Sequence, residues 1–215
     1  MWQAYVLSAI AGYADAIGYL RFDAFAGLMT GNTILLGIEL TIPAPARALF
    51  HLLIILVFTA GVMLSRALVQ AGAPIWSALT AAALLHVACS FLDRIWAAPL
   101  LALAMGMQNA AATRFGSISL NTVFITGNLQ KLGEGLIAWC WARLSRRPAA
   151  ADGIAVFFLV WLFYLLGAAA GAAGNVWLSH PLLVPAAILP FLYAPLRPGP
   201  ASPSPFAAPA KPEKR

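Results

Sequence analysis

Thr30-Gly31-Asn32-Thr33-Ile34-Leu35-Leu36-Gly37 returns later in the chain as Thr126-Gly127-Asn128-Leu129-Gln130-Lys131-Leu132-Gly133. Upstream of each copy stands a second match, Gly12-Tyr13-Ala14-Asp15-Ala16 against Gly106-Met107-Gln108-Asn109-Ala110. Each half therefore sets an Asp or Asn ahead of a Thr-Gly-Asn, and two related halves share one design. Both copies sit inside apolar sequence, so the solvent in which they fold decides what they can do.

Composition settles that solvent. Apolar residues make up 62% of the chain and charged ones 9%, against about 25% charged in soluble domains. Apolar runs near residues 2–20, 48–71, 74–92, 96–113, 153–178 and 181–196 mostly reach the roughly 17–25 residues that a membrane span requires. The fold expected is an all-α integral membrane protein, a polytopic helical bundle of two pseudo-symmetric repeats. Residues 1–92 form the first repeat and 93–196 the second. The first run has no basic leader and continues through Asp15 without a cleavage signal, so it is read as a retained span.

Six full spans are joined by two segments, residues 25–40 and 118–141, that carry the Thr-Gly-Asn copies, eight segments in all. If both cross, the halves are parallel. If both are re-entrant, six spans remain and a three-plus-three arrangement inverts the second half. Lys and Arg do not choose between these. With Lys131 set aside, the eight-span layout places Arg47, Arg94, Arg143, Arg146, Arg147, Arg197, Lys211, Lys214 and Arg215 on the side of the termini. The six-span layout exchanges Arg47 and Arg94 for Arg66 and Arg114. Either way the termini side is the basic one, so both are expected in the cytoplasm of a bacterial inner membrane. The net charge of +6 then reflects topology and a tail, with the lipid bilayer as partner and no nucleic acid. Residues 197–215 are rich in Pro and polar groups and are expected to be a disordered basic cytoplasmic tail.

The repeated motif points to a site. A break by Gly beside Thr and Asn is tolerated in hydrocarbon only where protein or a water-filled cavity satisfies the backbone. Asn32 and Asn128 are suitable N-caps for the apolar helices that follow, and a half-helix starting at depth would aim free N–H groups inward. Corresponding interrupted segments in two halves are the pattern of repeat-built transporters. The alternative is packing alone, with Thr and Asn as interhelical hydrogen-bond formers and Gly permitting close approach.

Asp15 is the sharpest residue. A carboxylate within a span costs about 2.5–3.5 kcal/mol on insertion scales and demands a partner, a cavity or protonation. Helical spacing puts Ala11, Asp15, Gly18 and Phe22 on one face, a small-residue groove facing protein, and Asn109 holds the matching place. The candidate substrate- or ion-binding set is Asp15, Thr30, Gly31, Asn32, Asn109, Thr126, Gly127 and Asn128. Gly61-Val-Met-Leu-Ser65 and Gly167-Ala-Ala-Ala-Gly171 are helix-packing patterns in corresponding spans.

Enzyme chemistry finds little support. His51, His86 and His180 are scattered singly, with no zinc motif, nucleophile elbow, phosphate loop or dinucleotide fingerprint, so no cofactor or metal is expected. A membrane enzyme would require His86 or His51 to lie beside Asp15 or another acid. Cys89 and Cys140 lack metal-ligand spacing and read as small apolar side chains.

The ordered motifs Gly12-Tyr-Ala-Asp15-Ala-Ile-Gly-Tyr-Leu20, Met29-Thr-Gly-Asn-Thr33-Ile-Leu-Leu-Gly37, Gly106-Met-Gln-Asn109 and Thr126-Gly127 resemble the YoaK family of bacterial membrane proteins, over nearly all of residues 5–195. The resemblance implies a multi-span inner-membrane protein and leaves its chemistry open. One departure is the short stretch ahead of Tyr5, where such proteins often carry a longer cytoplasmic leader. The functional expectation is a transporter or channel for a small solute, with Asp15 binding a proton or cation. The alternative is a non-transporting membrane scaffold or accessory subunit. A homo-oligomer is compatible with either.

Overall fold

The computed structural model describes residues 1–111, 113–115, 118–123, 125–146 and 153–193. The tail at 197–215 and Arg147 lie outside the described residues. Helix α1 (Trp2–Phe22) ends where Asp23 adopts a left-handed conformation, φ 53° and ψ 30°, and its N–H turns back to the carbonyls of Gly18 and Tyr19. This is the usual way a helix closes its last carbonyls. Helix α2 (Met29–Glu39) is short; α3 (Pro45–Gln70) opens on a proline at its first turn, where the missing N–H costs nothing. Helix α4 (Ile75–Cys89) follows Pro74, and α5 (Arg94–Ala111) carries Pro99 internally. A two-residue antiparallel pair, β1 (Arg114–Phe115) with β2 (Ile118–Ser119), leads to α6 (Ile125–Leu144). Helix α7 (Ile154–Trp177) starts after Gly153 at φ 106°, a conformation glycine alone adopts readily. Helix α8 (Leu183–Ile188) runs on into a 3₁₀ turn at Leu189–Tyr193.

Two helix pairs make the heart of the bundle: α1 with α7, and α3 with α5. Both are glycine-mediated. Gly12 sits against the Tyr164 carbonyl and Gly167 against that of Ala9; Gly106 sits against the Phe58 carbonyl and Gly61 against that of Leu103. In each case a Cβ would collide with backbone, so the helices approach to a distance only glycine allows. Within each pair the helices are parallel. Ser8 Oγ donates to the Val160 carbonyl, Gly171 abuts Tyr13 and Arg21 Nε reaches Asn175 Oδ1 at 2.6 Å. In the other pair Phe50 meets Arg94 and Phe58 meets Gly106. Helices α1 and α5 are antiparallel, with Gln108 Nε2 donating to the Leu7 carbonyl at one end and Arg94 paired with Asp23 at 2.7 Å at the other.

The segment after α1 doubles back. Gly27 and Leu28 lie beside Asp15, two turns inside α1. Helix α2, about 16 Å long at 1.5 Å per residue, then returns so that Glu39 meets His51, whose ring reaches the Asp23 carbonyl. Residues 23–39 thus enter the bundle and come back to the same end. Farther along the chain α6 packs on α7 and runs antiparallel to it, Gly135 against Ile154 and Lys131 Nζ 5.5 Å over the Phe157 ring.

Helices α3 and α7 are long and apolar enough to cross a membrane, with mean hydropathy 2.4 and 2.3. Only 22% and 17% of their apolar windows are buried within the protein. A core helix of a soluble domain would be buried; here Leu49, Leu56 and Met63 of α3 and Leu165 and Leu166 of α7 face outward, as lipid-facing side chains do.

Candidate functional site

Asp15 is 3% exposed and three donors converge on it. The backbone N–H groups of Gly27 and Leu28 donate to Oδ1 at 2.6 and 3.1 Å, and the Tyr164 hydroxyl donates to Oδ2 at 2.6 Å. An acceptor-only group is thereby satisfied from α1's own returning loop and from α7. None of the ion pairs among the described residues includes it. The loop can approach because Gly18 leaves room for the backbone of Ala24 and Ala26. Gly27 is wedged between the two Thr-Gly-Asn-bearing segments: a Cβ there would meet Val123 Cγ1 at 2.6 Å and lie 3.6 Å from Asp15 Oδ2.

The motif residues divide by role. Asn32 is buried and pairs with both backbone groups of Phe25, accepting from its N–H at 2.9 Å and donating to its carbonyl at 2.8 Å. Asn128 is also buried and donates to the Asn121 carbonyl at 2.6 Å. Each Asn therefore clamps the loop seven residues before it. Neither is placed as the expected N-cap. The N-cap of α2 is Leu28, and Asn32 lies a turn inside the helix. The reason is geometric: a side-chain amide carries one donor and one acceptor face, matching the C=O and N–H of one residue in the loop that folds back alongside. Thr30 and Thr126 are exposed, as is Gly127; Gly31 lies against the Phe25 ring. The two threonines do not join Asp15. Its actual neighbours are Gly27, Leu28 and Tyr164.

Asn109, which the motif match sets opposite Asp15, is half-buried, and its Oδ1 has no hydrogen-bond partner among the described residues. Ser65 Oγ, Gln108 Oε1 and Thr122 Oγ1 are buried and unpartnered too. Gln108 is oriented by its Nε2 donating to the Leu7 carbonyl, so the free atom is an acceptor. Sequence reading missed Tyr164, Ser65, Gln108 and Thr122. Tyr164 had a signal, since it stands three residues before Gly167 as Phe58 stands three before Gly61. His51 does lie beside an acid, Glu39, at 2.6 Å. His86 Nδ1 donates to the Ala82 carbonyl, 2.8 Å away, and its Nε2 has no partner among the described residues. An apolar groove of about 310 Å³ between α1, α7 and α8, lined by Val6, Ile10, Tyr13, Leu166, Val184 and Ile188, does not include Asp15.

These features define a helical membrane protein with a buried, hydrogen-bonded carboxylate at the junction of its helices. The chain belongs to the DUF1275 family, described as a protein of unknown function, which it matches over residues 3–194. It is also similar to UPF0700 transmembrane protein YoaK of Bacillus subtilis (strain 168), 27% identical over 177 residues, 76% of this chain and 78% of that one. No solved structure matches.

Proposed function

We propose that the protein is a transporter or channel for a small solute, in which Asp15 is the coupling group. It is built as six spans in two inverted three-span halves, with the two Thr-Gly-Asn segments dipping in from opposite sides and returning. The observation that carries the reading is an exchange at matched positions. Aligning Gly12 with Gly106 and Gly61 with Gly167 sets the Asp15–Tyr164 pair opposite Asn109 and Phe58. One half holds an ionisable group and its hydroxyl donor where the other holds an amide and a plain ring. A pseudo-symmetric site with one titratable member suits coupling to a proton or cation.

Several contacts support the inverted layout. Helix α1 packs on α7 as α5 packs on α3, and α2 on α3 as α6 on α7. Arg21, Arg47 and Arg94 gather with Asp23 and Glu39 at one end. These are the basic residues that six spans leave opposite the termini, which supports a reading with both termini in the cytoplasm of the inner membrane. The unpartnered oxygens of Ser65, Gln108, Asn109 and Thr122 would accept hydrogen bonds from a solute bearing N–H or O–H groups once the halves part. An enzymatic role is not favoured at His51, because both ring nitrogens are engaged and neither is left to activate a nucleophile.

A second reading rests on a specific observation. Asp15 is fully satisfied by protein, as it would be in a non-transporting scaffold or accessory subunit. Proteoliposomes carrying an internal pH dye, challenged with a library of small solutes, decide between them. The transporter reading expects at least one solute to drive proton movement in the wild type, lost in Asp15→Asn. Equal flux in wild type and Asp15→Asn would remove the coupling role. No flux, together with a stoichiometric co-purifying protein, would establish the scaffold.

A further inference from the structure

We propose that Glu39 and His51 form a proton-binding site that locks the α2 hairpin over Asp15. Glu39, the last residue of α2, is 3% exposed, and His51 is 1% exposed. His51 Nε2 lies 3.0 Å from the Asp23 carbonyl. A carbonyl only accepts, so Nε2 carries a hydrogen. Nδ1 lies 2.6 Å from Glu39 Oε2 and 3.2 Å from the Arg47 carbonyl, again acceptors. A second hydrogen must therefore lie between Nδ1 and Oε2, whichever atom owns it. The pair holds one proton more than a neutral imidazole beside a carboxylate would. In that state its own charges cancel, the condition under which such groups tolerate burial.

The surrounding charges are few. From α3, Arg47 Nε lies 3.1 Å from Glu39 Oε1 and is 62% exposed. At the end of α1, Asp23 pairs with Arg94 of α5, whose guanidinium also covers the Phe50 ring next to His51.

Loss of the proton has a structural consequence. Either the Nδ1 lone pair faces the Glu39 carboxylate, or the tautomer changes and the Nε2 lone pair faces the Asp23 carbonyl. One contact becomes repulsive in both cases. Those contacts fasten the end of α2 and the start of the loop whose Gly27 and Leu28 N–H groups serve Asp15. The closed hairpin is stabilised while the pair holds that hydrogen and weakened when it is lost. The alignment that matches the two motifs sets Gly135 opposite Glu39 and Phe157 opposite His51. There the contact is Lys131 over the Phe157 ring, with no such proton, so the lock belongs to one side alone. The proton site stands on these contacts; only its effect on solute access rests on the transporter reading.

The test uses full-length protein in lipid nanodiscs. Nitrogen-15 NMR of the histidine rings, with His86 and His180 assigned by substitution, reads the His51 nitrogens directly. Both are expected to carry or share a hydrogen in the folded protein. In Glu39→Gln, Nδ1 is expected bare. In a Cys140→Ser background, spin labels at Ile42→Cys and Ile95→Cys read the hairpin. Their distance distribution should be narrow in the otherwise wild-type chain and broadened in Glu39→Gln. A bare Nδ1 with Glu39 intact, or a distance distribution unchanged in Glu39→Gln, would overturn the proposal. If Glu39→Gln does not fold, the state of Nδ1 with Glu39 intact still decides. Neither readout depends on transport.

Discussion

Tyr164 donates its hydroxyl hydrogen to Asp15 Oδ2 across 2.6 Å, tying α7 to α1 through a bond between residues 149 positions apart. The bond sits beside one of the close helix contacts of the bundle, where Gly12 lies on the Tyr164 carbonyl. One residue thus provides a packing surface with its backbone and a donor with its side chain. Tyr164→Phe keeps the packing and removes the donor. The expected cost is about 1–2 kcal/mol, the range for a buried bond to a charged acceptor in a membrane protein, read as a lowered unfolding midpoint in detergent. Adding Asp15→Asn should cost less than the sum of the single changes, because the two report one interaction.

The division of the Thr-Gly-Asn motif gives a second expectation. Asn32 is buried and holds both backbone groups of Phe25, while Thr30 is exposed on the outer face of α2. Asn32→Ala should lose about 1–3 kcal/mol by leaving the partly buried N–H and C=O of Phe25 unpaired. Thr30→Val should stay within roughly 0.5 kcal/mol and leave any solute-driven proton flux unchanged. Loss of flux in Thr30→Val, with stability intact, would return Thr30 to the solute path.

Glycines separate in the same way. Gly12→Ala places a methyl against the Tyr164 carbonyl, where backbone must shift, whereas a Cβ at Gly37 meets nothing within 4 Å. Gly12→Ala should destabilise by about 1–3 kcal/mol. Gly37→Ala should stabilise by about 0.5–1 kcal/mol through helix propensity alone. Thermal unfolding of the two variants in one detergent checks both signs.

The class of fold and some of the packing glycines were legible in the sequence for a physical reason, though not which helices pair. Apolar length betrays a span, and a glycine at matched places in two halves betrays close helix contact. Gly12, Gly61, Gly106 and Gly167 do make such contacts. Asp15 could be singled out because a carboxylate in a span must be explained. Its partners could not be read, because two of them are backbone N–H groups of Gly27 and Leu28, which leave no mark on side-chain chemistry. The role given to Asn32 was right in being local and polar but wrong in place. A sequence shows that an amide precedes a helix, yet not that the loop before it folds back alongside. The Glu39–His51 contact was hidden by the same folding back, which brings an end of α2 to the first turns of α3.

Gly27 supplies the last prediction, since it joins the two Thr-Gly-Asn-bearing segments as well as serving Asp15. Its N–H donates to Asp15 Oδ1, and a Cβ on it would strike Val123 Cγ1 from the opposing segment. Val123 is fully buried, so it has little room to yield. Gly27→Ala should therefore push the two segments apart, lengthen the bond to Asp15 and destabilise by about 1–3 kcal/mol. Val123→Ala alone should cost about 1–2 kcal/mol as a small cavity. In the double variant the added methyl occupies space the valine vacates, so the double change should be less destabilising than the sum of the singles by at least about 1 kcal/mol. Unfolding of the four proteins in one detergent measures the coupling. Strict additivity would mean that Gly27 and Val123 do not touch, and with it the two hairpins would no longer meet beside Asp15.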